Sequence, residues 1–185
     1  HVRAGVGAVA SQNVTDPALG PLLLDRLERG ETATEALGHV VAGRAHVDYR
    51  QLLVVDRLGG VAIHSGAQVL GLWGDARGID CAAGGNLLAG ATVPGAMVAA
   101  FETARGHLGD RLMTALRAGL EQGGEAGPVH SAGLLLVDKQ SWPLAELRID
   151  WTEDCPIAAL EAAWAVYKPQ MDAYVTRALD PRARA

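Results

Sequence analysis

The apolar residues of this chain change their spacing in blocks, and that alternation limits the folds open to it. Gly5 to Ser11 (GVGAVAS) combines small and β-branched residues, as a buried, closely packed strand requires. Leu19, Leu22, Leu23 and Leu27 then share one face of a helix that stops at Gly30. Ala33, Leu37, Val40 and Val41 line a second helix, with Thr32 or Thr34 as its cap and Gly43 as its end. Tyr49 to Asp56 and Gly60 to Ser65 flank Arg57-Leu58-Gly59 as the arms of a hairpin. Val69 to Trp73 and Ile79 to Ala83 read as two further short strands, with residues 74–78 as the loop between them. Pro94 opens a helix whose core face carries Met97, Val98 and Phe101, and Leu108, Leu112, Leu116 and Leu120 mark the next. Ser131 to Val137 and Leu144 to Trp151 form a second strand pair. Two last helices carry Ile157, Leu160, Trp164 and Tyr167, then Met171, Tyr174 and Val175, divided at Pro169.

This order places helices between antiparallel hairpins and not between parallel strands. The expected class is therefore α+β, a layered sandwich of mainly antiparallel sheets covered by helices. No repeat, low-complexity stretch or linker interrupts residues 1–185, which read as a single domain. No apolar run approaches the ~20 residues that span a bilayer. The formal net charge of −5 and the scattered bases argue against a nucleic-acid partner, since phosphate binding needs clustered Lys and Arg. The nearest approach to a basic run is the tail Arg182-Ala183-Arg184. Cys81 and Cys155 lack CxxC spacing and read as two buried thiols of a cytoplasmic protein. The chain enters its first strand almost at once and without an initiator Met. A core strand with nothing before it lacks a neighbour, so a leading segment is expected upstream of His1.

Motifs that carry chemistry need the right local structure, and two fail on that ground. Gly5-x-Gly7-x-x-Ala10 fits a loose dinucleotide fingerprint but precedes strand-like residues instead of opening a helix. Val129-His130-Ser131-Ala132-Gly133 has the look of a nucleophile elbow, yet Leu134 to Val137 is a strand where the elbow requires a helix. His46 and Asp48 are two metal-ligand types without a third. No cofactor and no metal is expected.

Polar residues at strand ends remain the candidates for a pocket. Asn86, after Gly84-Gly85, could aim its amide at a developing oxyanion or simply tolerate a tight turn. Arg50 and Gln51 could hold a substrate carboxylate or form internal bonds. Gln12 and Asn13 lie in a polar stretch, Ser11 to Asp16, that either lines a pocket or caps the following helix. His64 and Ser65 end a hairpin strand, and His130 and Ser131 precede another. His39 and His107 are simplest as solvated or capping residues.

The segments RAGVGAVASQN, YRQLLVVD, HSGAQVLG, AAGGNLLAG followed by VPGAMVAAFE, RLMTALRAGLEQGGEAGPVHSAGLLLV and LRIDW stand here in one order. Together they resemble the bacterial family called domain of unknown function 1028, placed in the N-terminal-nucleophile (Ntn) hydrolase superfamily. The resemblance covers almost the whole chain. It implies a four-layer α-β-β-α sandwich that begins with a further hairpin ahead of His1. It also implies a Thr, Ser or Cys at the start of the first strand, whose side chain attacks an amide. The α-amine of that residue, titrating near ~8, would be the base. His1 carries neither hydroxyl nor thiol.

By the same resemblance Arg50, Gln51, His64, Ser65, Asn86, His130, Ser131 and Asp150 are pocket candidates. Asn86 would be the oxyanion donor and Arg50 the substrate anchor, while Asp150 beside Arg148 equally suits a structural role. The function implied is hydrolysis of a small amide or cyclic amide. The alternatives are a small-molecule-binding module without turnover and a homo-oligomeric assembly whose C-terminal Trp164, Tyr167, Met171 and Tyr174 form an exposed face.

Overall fold

The computed structural model describes residues 1–183, and within them the chain falls into two compact units, one over His1–Pro128 and one from Val129 onward. The class is α+β, with antiparallel strand pairing throughout. Of the short basic tail, Arg182 is paired with Asp180, and Arg184 lies outside the described residues. No helix among the described residues is long and apolar enough to cross a membrane.

The first unit is built on a four-stranded sheet in the order β1 (Val2–Arg3), β2 (Gly7–Asn13), β3 (Arg50–Asp56), β4 (Val61–Ser65). The register pairs Val9 with Val54 and Gln12 with Gln51 across β2 and β3, and Gln51 with Ser65 across β3 and β4. Because side chains alternate faces along a strand, Val9, Leu52, Val54 and Ala62 point to one side while Gln12, Gln51, Leu53 and Ser65 point to the other. The strand beginning near Gly7 therefore has a neighbour, contrary to the expectation from sequence. It pairs over its full length with β3, which arrives from far along the chain and was invisible to local patterning.

Helices α1 (Leu19–Glu28) and α2 (Ala33–Val41) cover the first face. Leu19, Leu23, Leu24, Leu27, Ala36 and Val40 pack there with Val9, Leu52 and Val54. Leu19, Leu23 and Leu52 are fully enclosed, and each such side chain contributes about 1.5–3 kcal/mol of transfer free energy. Thr32 caps α2 through a reciprocal box with Glu35. Asp56, at the end of β3, adds a second tie: one oxygen accepts from Ala33 N at 2.9 Å, the other from Leu58 N and Gly60 N at 2.9 Å each. A single carboxylate thus joins a helix start to the hairpin turn.

The second face is covered by the hairpin β5 (Gly74–Gly78) and β6 (Cys81–Gly85), with β6 against β3. Helices α3 (Val93–Thr103) and α4 (Leu108–Glu121) lie beyond it, packing Val98, Phe101 and Ala115 on Cys81 and Ala83. The order through this unit is helices, sheet, hairpin, helices. In α4 the buried side is Met113, Ala115 and Gly119, and Leu108, expected in the stripe, is 45% exposed.

Two strand expectations are corrected here. Residues 69–73 are irregular, and residues 74–78, expected as loop, form β5. β5 turns into β6 through Ile79-Asp80, with Asp80 left-handed at φ 58°. Its inward residues are small because α3 runs close behind: a Cβ on Gly78 would stand 2.6 Å from Val98 Cγ1. A β-branched strand would not fit.

The second unit pairs β7 (Ala132–Leu136) with β8 (Ala145–Ile149) and packs α5 (Pro156–Tyr167) on both. A short 3-10 turn leads into α6 (Met171–Leu179). Trp164 and Met171 are buried, so the four C-terminal aromatic and Met residues do not share one exposed face. Tyr167 bonds Leu144 O at 2.8 Å and stacks on the half-exposed Tyr174. Both cysteines are free; Cys155 is exposed, not buried, because it is the N-cap of α5 and accepts from Ala158 N.

Burial alone would push the Asp56 carboxyl up, but the three backbone N–H groups from Ala33, Leu58 and Gly60 outweigh it and hold its pKa below the ordinary Asp value. A depressed native pKa stabilises the fold above the ordinary value, near ~3.9, and that contribution is lost as pH falls through the native value. Asp56→Ala is expected to cost about 1–3 kcal/mol at neutral pH. In urea unfolding, the gap from wild type should narrow once the pH drops below that range.

Candidate functional site

The face between the sheet and the β5–β6 hairpin is apolar at its centre, where a Cβ on Gly84 would meet Leu53 Cδ2 at 3.0 Å. At one end it becomes polar. Gln12, Gln51 and Ser65 are register partners on three adjacent strands, so alternation brings their side chains side by side on this inner face. Gln51 is completely buried, the one buried polar or charged residue among those described.

Both polar atoms of the Gln51 amide are partnered. Its Oε1 accepts from Gln12 Nε2 at 2.7 Å, and its Nε2 donates to Ser65 Oγ at 3.0 Å and to Gly74 O at 3.2 Å. Ser65 Oγ in turn donates to Asp75 Oδ2 at 2.7 Å. The result is a directed chain, Gln12 to Gln51 to Ser65 to Asp75, running from between the layers to an exposed carboxylate. It also binds the sheet to the hairpin, because Gly74 and Asp75 belong to β5.

Asn86 follows Gly85, the register partner of Gly74, and so stands at the same end of the hairpin. It is half-buried and has no hydrogen-bond partner among the described residues. Its amide is free to meet a ligand.

The other sequence candidates have different neighbours. Arg50 donates to Val14 O, and Asn13 donates to Tyr49 O at 2.6 Å while accepting from Leu70 N at 3.1 Å. These two residues fix the loops around the strand ends. His64 is paired with Leu52 and so lies on the opposite, helix-covered face, where Nε2 meets Val47 O at 3.1 Å. In the second unit His130 stacks on Trp151 at 4.2 Å, and its Nδ1 lies 2.9 Å from Thr152 O. Ser131 is exposed, and Asp150 forms a surface pair with Arg148 at 2.6 Å.

No group of three or more His, Cys, Asp or Glu residues could hold a metal ion among the described residues. His107 caps α4, and His39 pairs with Glu31. Cys81 has its thiol pKa raised by burial, which suits a packed side chain and not a nucleophile. A recess of about 360 Å³, lined by Val55, Asp56, Arg57, Leu58, Gly59 and Asp80, lies at the hairpin tips, the opposite end of β3 from Gln51.

Asp75 is the participant that sequence reasoning missed, because Gly74 to Gly78 looks like a loop. The available signal was the period-two alternation Gly-Asp-Ala-Arg-Gly, two residues before a second small-residue run.

Gln51→Leu removes one acceptor and two donors without emptying the site, and should cost about 1–3 kcal/mol of unfolding free energy. Gln51→Glu places a carboxylate against Gly74 O, so its cost should grow as pH rises above ~4.3, the ordinary Glu range. Denaturation of both variants across pH measures this; a pH-independent cost for Gln51→Glu would contradict the assigned bonds.

The chain matches DUF1028, a family of unknown function, over residues 1–160. It is also similar to a protein of that family from Silicibacter pomeroyi, known from a crystal structure: identity is 32% and the TM-score 0.80, over 88% of this chain and 70% of that one. No curated protein matches.

Proposed function

The chain belongs to the DUF1028 family, and on that premise we propose that it is a hydrolase of the N-terminal-nucleophile type acting on a small amide or cyclic amide. The observation that carries the reading is the cluster of amide and hydroxyl groups at one end of the inter-sheet face, Gln12, Gln51 and Ser65, with Asp75 at its edge and Asn86 just beyond the same end of the hairpin. The succession of helices, sheet, hairpin and helices in the first unit supports the four-layer sandwich that such enzymes use.

In this reading Asn86 donates to the oxygen on which charge develops as the amide carbon becomes tetrahedral. Gln12 orients the substrate, and Gln51 and Ser65 position Gln12 without touching substrate. Attack belongs to a Thr, Ser or Cys side chain activated by its own α-amine. The residues assigned in this reading bind, orient and stabilise. Arg50 holds the loop at Val14 through one guanidinium nitrogen.

A second reading, small-molecule binding without turnover, draws support from the saturation of Gln51, whose polar atoms are all satisfied within the chain. Stabilisation by a metabolite that is not consumed would favour it.

The test is turnover of a panel of small linear and cyclic amides by the full-length protein. Asn86→Ala should lower kcat by about 10²–10³ with little change in KM. Turnover unchanged in that variant would remove Asn86 from the reaction.

A further inference from the structure

The segment from Ser65 to Gly74 crosses the ends of the sheet. Gly66 N bonds Arg50 O, Gln68 N bonds Asp48 O, and Leu70 N bonds Asn13 Oδ1, so the chain passes β4, β3 and β2 in turn. It is then laced to the residues after β6, with Leu87 N on Leu70 O at 3.1 Å and Leu88 N on Leu72 O at 2.8 Å. Gly71 makes the close crossing possible. It is left-handed at φ 64°, and a Cβ there would stand 2.8 Å from Leu87 Cδ2.

This fixed double segment carries four large apolar side chains in the open. Leu70 is 50% exposed, Leu72 47%, Trp73 38% and Leu87 47%. Trp73 precedes Gly74 and Asp75, which accept from Gln51 and Ser65, and Leu87 follows Asn86. The apolar rim and the polar cluster are therefore built from consecutive residues. Four side chains are too few for a protein interface, which needs about 800 Å² and 20–30 residues a side, but they are enough to hold one substituent of a small molecule.

Two neutral amides are left over beside the exposed Asp75 carboxylate, which disfavours an anion there. Gln12 Oε1 and the Asn86 side chain have no partner among the described residues. They offer one acceptor and one donor set, the complement of an amide N–H and C=O.

We propose that this end of the fold binds an amide that bears no negative charge and carries an apolar substituent, with Gln12 and Asn86 taking the amide and Leu70, Leu72, Trp73 and Leu87 taking the substituent. The inference deepens the hydrolase reading by naming its substrate class, but it is a statement about binding and is tested as one.

Phenylacetamide and acetamide form a matched pair of probes that differ by the phenyl ring. Titration of the full-length protein, followed by amide chemical shifts or calorimetry, should show phenylacetamide binding at least about tenfold more tightly. The double variant Leu72→Ser/Leu87→Ser, which alters only exposed side chains, should bring the ratio toward one. Leu58→Ser at the distant hairpin tip should leave it unchanged. Gln12→Ala should weaken both probes.

Equal binding of the two probes, no binding of either, or a preference that survives the double variant would overturn the proposal. So would light scattering that shows a dimer dissociated by the double variant, since a second copy would then own the rim. Preference without hydrolysis of any amide would leave the proposal standing and sink the hydrolase reading alone.

Discussion

The buried amide of Gln51 is the contact on which the rest of the first unit depends. A group fully removed from water loses its hydration, and only complete replacement of its hydrogen bonds makes the position tolerable. Gln51 obtains that replacement from three directions: Gln12 on β2, Ser65 on β4 and Gly74 on the hairpin above. The four elements must therefore keep their register together, because a slip of one residue would turn each of these side chains to the opposite face. Apolar contacts such as Leu53 against Gly84 hold the layers together but would tolerate sliding. The amide does not.

Much of this arrangement was legible in the sequence, and the losses have physical causes. Both helices of the first layer, the β3–β4 hairpin and the α3 start at Pro94 follow from strong local signals: 3.6-residue stripes, a glycine turn, a proline at the first turn. Strand β5 was hidden because its buried residues are small. Patterning detects burial through side-chain size, and the nearness of α3 selects against size at Gly74, Ala76 and Gly78. Residues 69–73 failed in the opposite sense, since their exposed Leu and Trp side chains imitate a buried strand.

The candidate residues divide along the same line. Gln12, Gln51 and Ser65 were named for sitting at strand ends, and the register joins them. What the sequence could not supply was parity. His64 and Arg50 are each one residue from a member of the cluster, and one residue along a strand is a change of face. Asn13 shows a further limit, because its two bonds reach residues 36 and 57 positions away, beyond any local pattern.

The hydrogen-bonded chain has a direction. Each member gives a hydrogen forward, from Gln12 to Gln51, to Ser65, to Asp75, and the negative charge at the last position is what orders the sequence of donors. Ser65 thus has its hydroxyl hydrogen committed outward and its oxygen already engaged from within. A cation drawn to Asp75 at the surface would loosen that commitment and let the hydroxyl rotate. The effect would end at that hydroxyl, because the amide hydrogens of Gln51 and Gln12 are fixed in the planes of their groups and reverse only if a whole amide turns over.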